Sequence, residues 1–178
     1  MHRRPVILAM VVLAGLVLAG CSVGLPPDVA KLGYVNRTDH FAMDVPAGWR
    51  VRESTSSVPL IISKPGPEDP GRPNVNVTLL ASGDDLPLES LVQLGRRGLA
   101  KVDGFKLLSE GAYEAAGAVK AWLVTFEADV DGRPVTAEQL YLLGGGRAYM
   151  VTAAAARDQF AAEQPNFDVC LRSFRAGW

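Results

Sequence analysis

From Tyr34 onward the chain is built of short alternations of apolar and polar residues. In residues 40–45, Phe41, Met43 and Val45 share one side and Ala42 and Asp44 the other, the period of a half-buried antiparallel strand. Pro46-Ala47-Gly48 turns the chain, after which Trp49 and Val51 alternate with Arg50 and Arg52. Residues 58–63 predict another strand, closed by a loop holding Pro65, Gly66, Pro67, Pro70, Gly71 and Pro73. In residues 74–80, Val75, Val77 and Leu79 point inward and Asn74, Asn76 and Thr78 outward.

The period then changes. Leu88, Leu91, Val92, Leu99 and Val102 fall on one face at helical spacing, with Pro87 suited to the first turn and Glu89 near the start. Arg96, Arg97 and Lys101 near the end suit the helix dipole and read as a solvated face. Gly95 and Gly98 each weaken the helix by about 1 kcal/mol relative to Ala, and close packing on a sheet would offset that cost. A second run of strands follows over residues 105–113, 118–128, 135–143 and 147–153. Trp122, Val124 and Phe126 share a face, and Val119 and Leu123 on the other predict a strand covered on both sides. Asp131-Gly132 is a hairpin signal. Gly144-Gly145-Gly146 lies between two strands, so it reads as a turn and not as a phosphate cradle, which needs a helix behind it. Residues 158–164 predict a short helix, and Pro165 starts another in which Phe167, Cys170 or Leu171, and Phe174 share a face. The order implies an α+β fold, an antiparallel β-sheet with helices packed against it.

The first 20 residues do not fit that pattern. His2-Arg3-Arg4 is followed by 16 uncharged residues, too short a run for a transmembrane helix of ~20 residues, ending in Leu18-Ala19-Gly20-Cys21. This is the layout of a lipoprotein signal peptide over 1–20, cut after Gly20, with Cys21 receiving the lipid. The small residues admit the peptidase, and the Cys21 thiolate is the nucleophile that accepts diacylglycerol. Two or three acyl chains, palmitate among them, anchor a protein without help from its domain. The expected location is the cell envelope, outside the cytoplasm, on the outer side of the cytoplasmic membrane or on the outer membrane. Residues 21–33, with Gly24, Pro26 and Pro27, read as lipidated Cys and flexible tether, and residues 34–178 as the domain.

Composition narrows the partners. The 178 residues carry 48% hydrophobic and 21% charged side chains at net charge −1, and loss of Arg3 and Arg4 with the leader makes the mature chain more acidic. Nucleic acid is thereby a poor partner, since it requires clustered Lys and Arg. With Cys21 lipidated, Cys170 has no disulfide partner and reads as a small buried hydrophobe. Asn36-Arg37-Thr38 and Asn76-Val77-Thr78 match the glycosylation sequon by chance.

The domain resembles the PsbP-like superfamily, including DcrB-like envelope proteins and small actinobacterial lipoproteins of the same layout. The resemblance rests on Phe41-Ala42-Met43-Asp44-Val45-Pro46-Ala47-Gly48-Trp49, on residues 118–126, on Ala148-Tyr149-Met150-Val151-Thr152, and on Phe167 with Leu171-Arg172-Ser173-Phe174. It spans about residues 34–176 and implies a fold without implying a shared reaction, because members assist photosystem assembly, nuclear import, effector loading or envelope processes. Phe41, Pro46, Gly48, Trp49, Trp122, Phe126 and Phe174 are expected to build the core.

Candidate chemistry is sparse. After processing, His40 is the one remaining histidine, beside Asp39, and no Gly-x-Ser-x-Gly elbow accompanies it. Glu127, Asp129 and Asp131 at one strand end lack the loop spacing of a calcium hand. No cofactor, metal or catalytic set is implied. The preferred reading is a non-catalytic accessory module, held to the membrane by its N-terminal lipid and binding an envelope protein or an apolar, lipid-like ligand. The alternatives are an envelope hydrolase using His40 and a purely structural surface lipoprotein. An apolar ligand would need a groove between the helix over 88–102 and the sheet.

Overall fold

A computed structural model describes residues 24–54, 57–80, 87–116 and 119–178. Seven strands form one antiparallel sheet. They are β3 (Arg50–Glu53), β4 (Leu60–Ser63), β5 (Asn74–Leu80), β6 (Lys106–Ala115), β7 (Val119–Val130), β8 (Arg133–Gly144) and β9 (Arg147–Ala156), in the order β3-β4-β5-β9-β8-β7-β6. β1 (Tyr34–Asn36), β2 (Phe41–Met43) and β10 (Arg175–Ala176) form a small second sheet in the order β1-β2-β10. Helix α1 (Leu88–Leu99) carries the chain from β5 to the far edge strand β6, and α2 (Arg157–Ser173) follows β9 directly. The fold is α+β, with antiparallel sheets and two described helices.

Alternation decides which residues reach which face. Val75 and Val77 of β5, Leu140 and Leu142 of β8, and Tyr149, Val151 and Ala153 of β9 face α2 and the small sheet. Val124, Phe126 and Ala128 of β7, with Val135, Ala137 and Tyr141 of β8, face α1. Val135–Leu142 is buried at every position, so β8 is the strand covered on both sides. The sequence pattern assigned that place to β7. There, however, Leu123 on the α2 side is only half-buried, because α2 packs chiefly on β8 and β9 and touches β6 only near the end of that strand, where the Ala116 N–H donates to the Arg172 carbonyl.

Three further expectations change. α2 is one continuous helix through Pro165, not two pieces. Pro165 withholds one N–H, yet Phe160 and Glu163 before it and Phe167, Cys170 and Leu171 after it are buried on the same side, and that packing carries the helix through. α1 ends at Leu99, and Val102 is 38% exposed in the turns that follow. Within the expected tether, residues 26–33 pack on the domain. Val29 is 3% exposed, Asp28 pairs with Arg175 at 3.4 Å, and the Gly33 N–H donates to Asp44 Oδ1 at 3.1 Å.

Two turns require glycine. Asp131 (φ 50°) and Gly132 (φ 76°) close the β7–β8 hairpin, and Gly145 (φ 56°) and Gly146 (φ 71°) close β8–β9. Both are two-residue loops with positive φ at each position, which matches the twist of the flanking strands. A Cβ on Gly144 would overlap Ala176 of β10, so the glycine run also admits the C-terminal strand.

Candidate functional site

α1 lies over β7 and β8 on a sheet of small and branched side chains, including Ala128, Ala137 and Ala148. It approaches closely because Gly95 faces Tyr141, where any Cβ would collide with the phenol ring. One turn on, a Cβ at Gly98 would meet nothing within 4 Å. Beside these glycines, between the helix and the sheet, lies a cleft of about 390 Å³. Leu91, Leu94, Gly98 and Leu99 form its helix wall, and Leu80, Gln139, Tyr141 and Met150 its floor. Leu94 is 57% exposed at the mouth.

The floor holds one polar pair. The Tyr141 hydroxyl donates to Gln139 Oε1, and both residues are buried. Burial pushes the Tyr141 phenol up to about 12, so it stays a neutral donor at any physiological pH. The cleft therefore offers apolar walls with one internally satisfied polar contact, which suits an aliphatic or aromatic group from a ligand or partner. It occupies the place the helical pattern pointed to, beside the helix predicted over 88–102.

A larger cleft of about 670 Å³ lies between β1 and the β3 edge, lined by Tyr34, Asn36, Asp39, Glu53, Ser57 and Pro59 among others. Its polar groups serve one another. Asn36 Nδ2 donates to Asp39 Oδ2 at 3.0 Å and Asn36 Oδ1 accepts from the Asp39 N–H at 2.8 Å. Burial, with Glu53 beside it, holds the Tyr34 hydroxyl well above its ordinary range. Such mutual satisfaction leaves less for a ligand.

The sequence candidates for chemistry are dispersed. His40 adopts φ 52° in a tight turn and its Nδ1 lies 2.9 Å from the Trp178 carbonyl oxygen. The Asp39 carboxylate turns instead to Asn36 and, at 3.5 Å, to Arg147, so the adjacent pair does not form a base and its orienting acid. Glu127 engages Arg157 at 3.4 Å and Lys106 at 3.8 Å, while Asp129 and Asp131 are exposed. Among the described residues no three metal-ligating side chains converge. Cys170 is fully buried at the α2–sheet interface, and burial raises its thiol to about 12, which removes the thiolate that reactivity requires. Gly20 and Cys21 lie outside the described residues. Among the expected core residues, Phe41 and Phe174 are fully buried and Phe126 is 5% exposed. Pro46 is buried, Trp49 and Trp122 are partly so, and Gly48 is an exposed turn residue with φ 77°.

Sequence reasoning passed over Glu138, which is 8% exposed beneath α2. Gln164 Nε2 donates to both its oxygens at 3.1 Å, yet burial dominates and raises its carboxyl above the ordinary range. The Tyr113 hydroxyl nearby is buried without a partner.

No family model and no curated protein matches the chain. Solved structures do. LpqN, involved in cell envelope biogenesis of Mycobacterium tuberculosis, is similar with a TM-score of 0.57 at 19% identity, over 75% of this chain and 81% of LpqN. The cyanobacterial PsbP of Synechocystis gives 0.60 at 16% identity, over 80% and 90% of the two chains. The Ran-binding protein Mog1p of Saccharomyces cerevisiae gives 0.55 at 11%, over 80% and 93%. At these identities the likeness concerns architecture alone: this chain has the PsbP-like α+β fold.

Proposed function

We propose that the chain is a non-catalytic accessory module of the cell envelope, held outside the cytoplasm by lipid on Cys21, which binds another envelope protein or an apolar ligand. The observation that carries this reading is the apolar cleft under α1, whose mouth holds the exposed Leu94. Two of the similar proteins fit it, one being involved in envelope biogenesis and another being a binding protein. Among the described residues no helix is long and apolar enough to cross a membrane, so membrane attachment rests on Cys21 in this reading.

The test is a photo-crosslinking residue at Leu94 of the full-length chain in living cells, with the same residue at exposed Val169 on α2 as control. A discrete protein or lipid adduct at Leu94, absent at Val169 and lost when Gly98→Trp fills the cleft, is expected. Equal background at both positions would sink the proposal. Cys21→Ala is expected to move the chain from the membrane to the soluble extracytoplasmic fraction. Retention in the membrane would remove the anchor.

A further inference from the structure

α1 covers only part of its side of the sheet. It sits over β7 and β8, while β9, β5, β4 and β3 continue beyond it without a described helix. Strands are about 4.8 Å apart, so the line between β9 and β5 lies about 10 Å from the line under α1. Packed helices are separated by 8–10 Å. The uncovered strip beside α1 therefore has the width of one more helix.

The register shows what that helix would meet. One row across the strip runs Arg52, Ile61, Asn76, Thr152, Gln139, and the next runs Arg50, Ser63, Asn74, Ala154. No carboxylate projects from this face of β3, β4, β5 or β9. Arg50 and Arg52 are exposed at its outer edge, and neither forms an ion pair among the described residues. The α1 wall of the strip is formed by Leu91, Leu94, Gly98 and Leu99, whereas Arg97 lies on the other side of the helix, toward Phe105 and Leu107. Gly98 leaves the α1 wall open to close approach of a backbone.

We propose that this strip docks an acidic amphipathic helix of a partner protein. Its apolar stripe would enter the cleft against Leu94, Leu80 and Met150, and its acidic flank would reach Arg50 and Arg52. The charge complementarity selects the occupant. A basic helix would place its charges against the two unpaired guanidinium groups of Arg50 and Arg52, and an uncharged apolar chain would leave them and the amide row without partners. The inference rests on the binding role proposed above and adds the chemistry of the partner.

The probe is a synthetic 18-residue helical peptide with Leu on one face and Glu on the other, a twin with Lys for Glu, and phosphatidylglycerol vesicles. Binding to the full mature chain in nanodiscs is read by anisotropy of the labelled peptides, and vesicle binding by co-flotation. The acidic peptide is expected to bind at least tenfold tighter than its Lys twin and to weaken as salt rises. Arg50→Glu with Arg52→Glu is expected to cost at least tenfold, as is Gly98→Trp, whereas Arg172→Glu on α2 leaves affinity unchanged. Circular dichroism of each variant checks the fold. Equal binding of both peptides, insensitivity to the paired reversal, binding of vesicles alone, or no binding overturns the proposal. A Leu94 adduct in cells together with no acidic-peptide binding would reject this helix while keeping the binding role.

Discussion

The two faces of the seven-stranded sheet are built to different rules. On the α2 side the packing is aromatic and closed: Phe41 stacks on Phe174 at 5.7 Å, Tyr149 meets Phe174 edge-on at 5.8 Å, and Phe160 lies 5.3 Å from Phe167. The small sheet and α2 together seal that side, where Phe41, Phe167 and Phe174 have no exposed surface. On the α1 side, alanines and a glycine bring one short helix down onto a smaller cluster holding Phe105, Trp122, Phe126 and Tyr141, and the strands beyond it present amide, hydroxyl and guanidinium groups. The division closes one face and leaves the other partly open at the cleft beside α1. It also explains why the cleft sits where it does, because a single helix over β7 and β8 leaves the neighbouring strands uncovered.

The largest expected effect lies on the closed face. Phe174→Ala removes a ring from the aromatic cluster and is expected to cost about 3–5 kcal/mol in denaturant unfolding. A loss below about 1 kcal/mol would mean that the two faces do not differ as described. Gly95→Val, which must push α1 off Tyr141, is expected to cost about 1–3 kcal/mol and to abolish the Leu94 adduct. Its neighbour supplies the converse. Gly98→Ala enters open space with helical backbone and is expected to add up to about 1 kcal/mol. If both substitutions destabilise alike, the cleft is not open at Gly98.

Glu138 tests the α2 side by pH. Burial gives it a higher affinity for its proton in the folded chain than in the unfolded one. The folded state then binds more protons from the ordinary carboxylate range up to the raised value, so this residue's contribution makes stability fall as pH rises through that window. Glu138→Gln is expected to flatten that part of the pH profile, and an unchanged slope would refute the assignment. Glu163 runs oppositely. Burial would raise it, but hydrogen bonds from Lys64 and Asn166 outweigh burial and hold it lower, so its contribution is lost as pH falls. The smallest effect is Leu94→Ser, within about 0.5 kcal/mol in stability and visible only in binding.

The long strands were legible because alternation over seven or more residues is a strong signal, and Asn74–Leu80 matches the expected bounds and facing. β1 and β10, at three and two residues, are too short to show a period, and they exist through pairing with β2. The helix beside the cleft was legible from its apolar spacing and its glycines. What Gly95 rests on was not, because β8 is buried on both sides and its run from Val135 to Leu142 shows no alternation to reveal that Tyr141 faces α1. Arg50 and Arg52 were legible as outward residues. Their standing at the rim of an acid-free strip depends on sheet order, which no local pattern encodes.

The docked segment before β1 has a mechanical consequence. If Cys21 carries the lipid, only residues 21–25 separate the bilayer from the turn that begins at Pro26, whose carbonyl accepts from Val29 and Ala30. Five residues reach at most about 17 Å when fully extended. The module would then work on a short leash, skimming the bilayer surface instead of sampling the space beyond it. Any partner would have to come down to the membrane to be met, and the encounter would become a search in two dimensions.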